Sequence, residues 1–528
     1  MTKYLLNRLL RGVFSIIIVV GIVMVLIYSM LNRDLIFAND PNFTKQRSNG
    51  KEIYMMQQWE KYGYVDYIPY ADYLKELLKN GEITQEKYDE VAKLPNKFDK
   101  AEGEKAEMIA QFTQYYEDQG YTVVPMDAVM KGKTKKYQDG GEPRLYAHRD
   151  VPLTTRLVRY LTGLIDVDNI HYATGDIPEE ERGLTFTWKD PAYGGEKFSP
   201  AIIGNGTKHK YLLYMTDSFP FIHQNLVTIN LGQSYSIEEG TDIFDIMTSS
   251  QGSYVQTLTT YPTGAQEISA DDLHSARYVP GSLANGTPVI KNCFVDDYTS
   301  VLTNRSGFSK VGYSFVIGII SVFMAYLFAI PLGTLMALRK DKLVDKLGTA
   351  YIVFIIAVPS LAYIFLFKAI GGNIGLPTTF DMENPRAAMY VLPIVSLALP
   401  SIANMMKWLR RYMIDQMNSD YVKFARSGGL SEGEIFSKHI LKNAIIPIMH
   451  GVPGNLLFAM TGAIITERVY VVPGAGNLLT KAINAYDNGV IVGMVLFYAC
   501  LSVVAIILGD ILMSVMDPRI SFTTTKER

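Results

Sequence analysis

The sequence predicts an all-α module of six transmembrane helices, with a large α+β domain inserted between the first and second helices. Three observations lead to this fold class. Six long windows lack charged side chains, Lys and Arg are concentrated in alternate connections between the windows, and one polar segment is long enough to fold by itself. The resulting boundaries are 1–34 for the first span with its flank, 35–308 for the inserted domain and 309–528 for the remaining spans.

The average composition hides this division. The chain has 528 residues, of which 48% are apolar and 19% charged, and its formal net charge is −2. These values exclude a disordered chain and a nucleic-acid binder driven by bulk positive charge, and two cysteines exclude a disulfide scaffold. Residues 35–308 contain 27 basic and 38 acidic side chains, whereas the rest of the chain contains 23 basic and 14 acidic ones. The near-neutral total is therefore the cancellation of an acidic region and a basic one.

The six windows each have the length of a membrane span. A helix needs about 20 apolar residues to cross a hydrocarbon core of about 30 Å. Buried helices of a large soluble protein would be shorter and would carry polar faces. The first window is longer than the apolar part of a signal peptide and has no small-residue cleavage site after it, so we expect an uncleaved span. The predicted spans are Gly12–Asn32, Val311–Leu338, Leu347–Phe367, Ala387–Met406, Asn443–Thr466 and Asn488–Gly509.

The distribution of basic residues predicts the orientation of these spans. Lys and Arg in short connections favour the cytoplasmic side. They are abundant before the first span, between the second and third, between the fourth and fifth, and after the last, and they are sparse in the connections 368–386 and 467–487. Both termini are therefore expected in the cytoplasm, residues 35–308 are expected outside the cell, and the six spans are expected in the plasma membrane.

The inserted domain shows helical signals first and strand signals later. Its early part has apolar residues at helical spacing and helices that end at Gly or Pro, and its later part has short β-branched and aromatic runs bounded by turn residues. We predict helices at Tyr70–Asn80, Thr84–Leu94 and Glu102–Gln119. We predict strands at Leu184–Trp188, Lys210–Met215, Tyr254–Tyr261 and Pro288–Ile290.

Signals for catalysis or for a metal are weak in this domain. Gly132-Lys133-Thr134 resembles the end of a phosphate-binding loop, but Asp127 stands where that motif requires its first glycine. No G-x-S-x-G is present, and Cys500 lies within a span, so Cys293 has no disulfide partner on its side of the membrane. The five histidines there lack metal-ligand spacing. We therefore expect no enzyme domain, no catalytic residue, no metal site and no cofactor in this chain.

The most informative segment connects the fourth and fifth spans, at residues 407–447. It contains a polar helix, a break at Gly428 and Gly429, and a second helix in which Ser431 and Glu434 have the spacing of a capping box. The plain interpretation is a loop that re-enters the membrane and carries positive residues on the inner side. The alternative is a rigid projection at the membrane surface that contacts a soluble partner.

This segment resembles the EAA loop of ABC-importer permeases, in the version found in dipeptide and oligopeptide permeases. Ala425 matches the second alanine of that motif, Gly429 matches its glycine, and Pro447 stands 18 residues later, although Lys423 and Phe424 replace the first two letters. The long outer domain is similar to that of AmiC-type oligopeptide permeases of Gram-positive bacteria. Further matches are Gly206-Thr207-Lys208-His209-Lys210-Tyr211-Leu212-Leu213-Tyr214, Asn230-Leu231-Gly232-Gln233-Ser234-Tyr235, Thr466-Glu467-Arg468-Val469, Pro473-Gly474-Ala475-Gly476 and Asp517-Pro518-Arg519.

The resemblance implies a type I ABC-importer fold and a subunit that forms half of an oligopeptide channel. It implies a second homologous permease, two ABC ATPase subunits that bind ATP and Mg, and an extracellular peptide-binding lipoprotein, with membrane lipid around the spans and no nucleic acid. It also implies that the inner segment docks the ATPases. The residues that would do so are Ala425, Arg426, Gly428, Gly429, Leu430, Ser431, Glu432 and Pro447.

Three charged residues within or beside the spans are candidates for the substrate path. Asp510 lies deep in the last apolar stretch, where an unpaired carboxylate is costly, and pairing between helices is favoured over direct substrate contact. Glu467 and Arg468 lie at the predicted outer end of the fifth span and would either contact peptide termini or cap a helix end.

Two other classes of function remain as alternatives. One is a membrane-anchored extracellular sensor or interaction protein built around residues 35–308. The other is an ion-coupled secondary transporter, which would normally show more intramembrane charge and inverted repeats.

Overall fold

The computed structural model describes residues 2–30, 32–38, 40–132, 136–217, 221–382 and 384–516. Long apolar helices occupy both ends of this range, and a mixed helical and stranded region lies between the first and second of them. Lys133 and Thr134 of the loop-like run, and the closing Asp517-Pro518-Arg519, lie outside the described residues.

The first half of the inserted region is a small sheet covered by helices. Three antiparallel strands in the order β1-β3-β2 pack against helices α4, α5 and α6 around a core that includes Tyr70, Leu74, Phe112 and Ala147. The three predicted helices are confirmed, and the Thr84 side chain caps α5 by accepting from the Lys87 N–H. The elements are α1 Thr2–Met30, a 3₁₀ turn Arg33–Phe37, α2 Pro41–Lys45, α3 Ser48–Lys61, β1 Val65–Pro69, α4 Tyr70–Lys79, α5 Gln85–Val91, a 3₁₀ turn Phe98–Lys100, α6 Glu104–Glu117, β2 Thr122–Met126 and β3 Arg144–Asp150.

The second half consists mainly of antiparallel strands. One sheet has the order β5-β6-β7-β8, and the pairs β4–β9, β10–β11 and β12–β13 form two-stranded ribbons. The elements are α7 Leu153–Thr162, β4 Ile165–Val167, a 3₁₀ turn Glu179–Glu181, β5 Gly183–Thr187, a 3₁₀ turn Pro191–Tyr193, β6 Ala201–Asn205, β7 Tyr211–Met215, β8 Ile222–Gln224, β9 Val227–Ile229, α8 Ile243–Thr248, β10 Thr257–Thr260, β11 Gln266–Ser269, β12 Asp271–Tyr278, α9 Pro288–Cys293 and β13 Tyr298–Thr303.

One of the four predicted strands is wrong. The predictions at 184–188 and 210–215 coincide with β5 and β7, and 254–261 contains the shorter β10. Pro288–Ile290, however, begins the helix α9. The Thr287 side chain accepts from the Ile290 N–H, and Pro288 occupies the first helical position, where its missing N–H costs nothing. The β-branched pair Val289 and Ile290 suggested a strand, but the cap determines the conformation.

The remaining helices form the apolar bundle. Among the described residues, α1, α10, α13 and α20 are each long and apolar enough to cross a membrane. The pair α11 and α12 passes the same test but bends by 111° at Val358 and Pro359, because a residue that precedes proline is driven out of the helical conformation. The elements are α10 Lys310–Leu338, α11 Leu343–Ala357, α12 Ser360–Asn373, a 3₁₀ turn Ala387–Tyr390, α13 Val391–Met417, α14 Asp420–Ser427, α15 Glu432–Glu434, a π-helix Ile435–Leu441, α16 Lys442–His450, α17 Val452–Gly462, α18 Ile464–Tyr470, α19 Ala475–Asn484 and α20 Asn488–Met516.

The predicted fifth span, 443–466, is divided into short helices. α16 and α17 meet at Gly451, and α17 and α18 meet at Ala463. In the described part of the chain, four single helices and one bent pair are therefore long and apolar enough to span a membrane, and a broken helical segment lies where the sequence predicts a continuous fifth span.

Helices α10 and α13 form the centre of the bundle. They pack along each other through small residues, and a methyl group added at Gly333 would lie 3.3 Å from the Leu409 side chain. Ala325, Ala329 and Met406 are buried in the same core. Small side chains allow the two backbones to approach closely, which is how helices associate where lipid removes the hydrophobic driving force.

A buried carboxylate joins the inserted region to the bundle. Asp487 directly precedes α20 and is fully buried. Its oxygens accept a hydrogen bond of 2.6 Å from the Ser234 hydroxyl, and bonds of 3.0, 3.0 and 3.1 Å from the N–H groups of Tyr235, Ser236 and Ile237. Several donors on one buried anion make a strong and directional contact. The segment 230–235, which the sequence links to the family, is thereby held at the end of the last apolar helix.

The same contact requires glycine in α20. A methyl group at Gly489 would lie 2.3 Å from the Gln233 carbonyl oxygen, and at Gly493 it would lie 3.2 Å from the Leu231 carbonyl oxygen. The inserted region therefore rests directly on the helix backbone.

We predict that Asp487→Asn lowers the thermal unfolding midpoint of the purified chain. The amide has the same shape, but it turns an N–H₂ group towards a site that contains donors, and it removes charge-assisted bonds worth about 1.5–3 kcal/mol each. The exposed Asp415, changed to Asn, is the control. Equal midpoints for the two variants in scanning fluorimetry would contradict this account.

Candidate functional site

Residues 418–447 form a compact projection at one end of the bundle. α13 ends at Met417, α14 runs from Asp420 to Ser427, and after a break α15 continues into the π-helix and α16. The predicted helix, glycine break and second helix are confirmed. The capping box is also present, because Ser431 accepts from the Glu434 N–H and the Glu434 carboxylate accepts from the Ser431 N–H.

The turn between α14 and α15 depends on the backbone conformation of Gly429, and an ion pair bridges it. Gly429 has φ of +81°, a conformation that side chains with Cβ rarely adopt, and no atom lies within 4 Å of the position where a Cβ would be. Across it, the Arg426 guanidinium donates to both oxygens of Glu432, the Nη2 bond being 2.9 Å. These bonds lower the pKa of the Glu432 carboxyl and raise that of Arg426. The turn is thus set by one glycine and bridged by one solvent-exposed pair.

The inner face of the projection is anchored in the bundle. Val422 and Ile435 have no exposed surface, and Ile440 is also buried. They belong to the same apolar core as Leu409 and Met413 of α13. The projection is therefore held firmly against α13 and α16, since a close-packed core deforms little.

The outer face combines apolar and charged groups that are open to solvent. Phe424 is 75% exposed, and Leu430, Arg426 and Glu432 are exposed beside it. An exposed aromatic side chain ringed by charge is typical of a protein-binding surface. Sequence reasoning treated Phe424 as a departure from the motif; a large aromatic residue in an otherwise polar helix was the signal that it missed. Ala425 is partly buried, and Pro447 lies inside α16 with an exposed side chain.

A second ion pair, between α13 and α11, lies close to the end of α13. The Arg410 guanidinium donates to both oxygens of Asp345, with bonds of 2.6 and 2.7 Å. The Asp345 carboxylate is almost completely buried. This bidentate contact ties the start of α11 to α13 just before the projection.

The structure places Glu467 and Arg468 in different environments. Glu467 is fully buried; its carboxylate accepts from the Ser314 hydroxyl at 2.6 Å and from the Asn477 N–H at 2.9 Å. Gly474 and Gly476 pack closely against Glu467. A methyl group added at Gly474 would lie 2.4 Å from its carboxylate, and one added at Gly476 would lie 3.0 Å from it. Glu467 therefore links α18, α19 and α10, as expected for the helix-end alternative, whereas Arg468 is exposed.

Asp510 makes contacts between helices. It accepts from the Arg8 guanidinium at 2.8 Å and from the Tyr4 hydroxyl at 3.1 Å, and the His450 imidazole lies 3.8 Å away. These partners join the beginning of α1 to the end of α20 and to the α16–α17 break. The structure thus gives Asp510 the interhelical pairing that the sequence favoured, and a substrate-path role for Glu467, Arg468 and Asp510 stays a prediction.

Two buried histidines of the inserted region are each paired with an aspartate of the same region. His209 and Asp168 lie 3.2 Å apart, and His274 lies 2.8 Å from Asp190. Burial opposes protonation of His274, but the hydrogen bonds that its ring donates to the Asp190 and Asp272 carboxylates outweigh this effect and raise the pKa of His274 to about 8. Within the described residues, no group of three or more His, Cys, Asp or Glu could hold a metal ion.

Comparisons with known proteins agree with this geometry. Residues 329–522 match the family described as the binding-protein-dependent transport system inner membrane component. The chain is 34% identical over 528 residues to the oligopeptide transport system permease protein AmiC of Streptococcus pneumoniae, covering 99% of both chains. It is 28% identical over 208 residues to the dipeptide transport system permease protein DppB of Bacillus subtilis, covering 39% of this chain and 67% of that one.

The family match and the full-length similarity to AmiC cover different parts of the chain, and the limit between them follows the structure. The family match falls in the bundle and contains the projection, while the similarity to AmiC extends through the inserted region as well. Proteins with these matches are membrane-embedded transport subunits, not enzymes. On the strength of the full-length similarity, this chain belongs to the family of oligopeptide transport system permeases, the inner membrane components of binding-protein-dependent transport systems.

Proposed function

We propose that this chain forms half of the channel of an ATP-driven oligopeptide importer. The observation that carries the proposal is the projection at residues 418–447, whose inner face is buried in the bundle and whose outer face exposes Phe424 between charged groups. Such a surface can receive force from a soluble partner and pass it to the apolar helices. The full-length relative is named as an oligopeptide permease, which supports the same substrate class.

The assembly would contain partners that this chain does not supply. We propose a second homologous permease, two ABC ATPase subunits that bind ATP and Mg, and an extracellular peptide-binding lipoprotein. The lipoprotein would select the oligopeptide, and the two permeases would enclose its path. The acidic inserted region, with 27 basic and 38 acidic residues, would form the vestibule that faces the lipoprotein.

The proposed topology has six spans with both termini in the cytoplasm of a Gram-positive bacterium. The bent pair α11–α12 would be the third span, and the broken segment α16–α18 the fifth. Residues 35–308 would then be extracellular and residues 407–447 cytoplasmic, in agreement with the clustering of Lys and Arg near the projection. Breaks at Pro359 and Gly451 are tolerated where neighbouring helices satisfy the freed backbone groups.

We propose that the projection docks in a groove of the ATPase. Phe424 and Leu430 would supply the apolar contact, and Arg426 and Glu432 a polar rim, with the turn held by Gly428, Gly429 and Ser431. Ala425 would pack under this surface. Pro447 would permit α16 to bend where the projection joins the bundle.

The charged candidates for the substrate path would have separate roles. Arg468, which is exposed, would attract the peptide carboxylate. Glu467 would position Arg468 by anchoring α18 to α10 and α19, and Asp510 would pin α1 to α20 through Arg8 during the movement of the spans.

Replacing Phe424 tests the docking proposal. We predict that Phe424→Ser weakens ATPase binding by more than about 2 kcal/mol, or about thirtyfold, because an exposed aromatic anchor is lost. The measurements are co-purification of the ATPases and uptake of a labelled oligopeptide. The control is Leu258→Ser, which removes another largely exposed apolar side chain, from β10. Normal ATPase binding and normal uptake in the Phe424 variant would overturn the proposal.

Replacing Gly429 tests whether the turn itself matters. Because space around Gly429 is open, Gly429→Ala adds only the strain of positive φ, about 1–2 kcal/mol, and we expect ATPase binding to fall about five- to thirtyfold. Asn tolerates this conformation, so Gly429→Asn should retain most of the binding.

Gly433→Ala is the matched control for this pair. Gly433 lies in α15, and its φ is not positive. As at Gly429, no atom lies within 4 Å of the position of an added methyl group. Equal binding by the Gly429→Ala and Gly433→Ala variants would show that the left-handed turn is dispensable.

A further inference from the structure

A cavity lies where the inserted region meets the outer ends of two apolar helices. It has a volume of about 550 Å³ and is lined by α1, by the start of α20 and by loops of the inserted region. Met24 and Val492 provide apolar surface, and Tyr28, Tyr160 and Tyr235 also line the walls. The size suits a small ligand or part of a larger one.

The charge of the cavity is opposite to that of the region around it. Four cationic side chains line it: Lys61, Arg156, Arg159 and Lys208. Two acidic residues, Asp242 and Asp245, also line it, but both bind Arg277, at 3.1 and 3.0 Å. The cavity therefore has a net positive charge although residues 35–308 are acidic overall.

In the described part of the chain, these four cations have at most long contacts to carboxylates, so they are available to bind an anion. Arg156 stacks on two rings, its guanidinium carbon 3.7 Å from the Tyr28 centroid and 4.0 Å from that of Tyr64. Within the parts of the chain that the structure describes, no carboxylate lies within 4.0 Å of Arg156.

The other three cations have long, partly solvated contacts. Lys208 is 3.6 Å from Asp166, Arg159 is 3.5 Å from Asp66, and Lys61 is 3.9 Å from Glu239. Pairs of this kind contribute little energy and are easily exchanged for a better anion.

The position of the cavity favours a lipid over a soluble anion. Met24 lies within α1, whose neighbouring side chains Ile22, Val25 and Leu26 are exposed and apolar. Arg156 belongs to α7, and Leu157 of that helix contacts α1 at Gly21. Cations and tyrosines therefore lie at the end of an exposed apolar surface, the arrangement that proteins show at a membrane–water interface.

We propose that this cavity binds the headgroup of an anionic phospholipid from the outer leaflet. The phosphate would lie between Arg156 and Lys208, and the first acyl carbons would contact Met24 and Val492. This inference rests on the orientation proposed above, in which residues 35–308 are extracellular. A bound lipid would join the inserted region to α1 and α20 beside the Asp487 contact.

The test compares two lipids on the intact complex in detergent. Native mass spectrometry would measure retention of phosphatidylglycerol and of phosphatidylcholine with the same acyl chains. We expect tighter binding of phosphatidylglycerol, and a loss of about fivefold in Arg156→Gln and in Lys208→Gln, as expected for one basic residue at a membrane surface. Lys208→Gln leaves the tyrosine stacking intact, so it remains informative if the Arg156 variant is unstable.

Arg305→Gln is the matched control, because Arg305 also stacks on a tyrosine, 4.4 Å from the Tyr254 centroid, but does not line the cavity. Equal retention of the two lipids, or unchanged binding in both cavity variants, would overturn the proposal. Displacement of phosphatidylglycerol by glycerol phosphate or by a soluble oligopeptide would also overturn it, by assigning the cavity to a soluble anion. Peptide uptake, measured in parallel, reports on the transport proposal separately.

Discussion

The buried Asp487 carboxylate is the contact on which the arrangement of the two halves depends. The inserted region leaves the bundle after α1 and returns at α10, so those connections alone would leave it loosely placed. Asp487 adds a third attachment, at α20, through four donors of the segment 234–237. A buried anion requires this set of donors, because an unpaired one would carry a large desolvation cost. Gly489 then allows the segment to lie on the helix backbone.

At the other end of the bundle, a small projection takes the place of a large inserted region. There the chain forms the short projection of residues 418–447. Val422 and Ile435 anchor it in the apolar core, and the Arg426–Glu432 ion pair bridges its surface. Exposed pairs of this kind contribute little to stability, so the apolar inner face must hold the projection in place. The exposed side chains Phe424 and Leu430 take no part in that packing. α13 runs from the bundle centre to this projection, so one helix connects the two.

Several charged residues show why local sequence cannot assign a role. Asp510 and Glu467 are both isolated carboxylates in apolar surroundings, and the sequence admits either substrate contact or structural pairing for each. The structure supplies Arg8 and Tyr4 for the first, and Ser314 and the Asn477 N–H for the second. Arg8 is 502 residues away from Asp510, and no periodicity connects them. Arg468, adjacent to Glu467 in the chain, is left exposed.

The sequence by itself determined the features that rest on length, composition and local spacing. These are the long apolar helices, the helix–glycine–helix segment with its Ser431 cap, and the early helices of the inserted region. A span is decided within about 20 consecutive residues and a cap within one turn, so both are readable from local sequence. It failed at Pro288, where a cap overrode β-branched propensity, and it predicted a single span at 443–466, which the structure divides at Gly451 and Ala463. Tertiary structure alone decided which face of the projection is exposed, which partners satisfy Asp487 and Asp510, and where cations from α3, α7 and the β6–β7 turn meet around one cavity. Those outcomes depend on contacts that local spacing does not contain, such as Ser234 with Asp487, 253 positions apart, and Arg8 with Asp510, 502 positions apart. A buried polar group such as Asp487 must find partners of this kind.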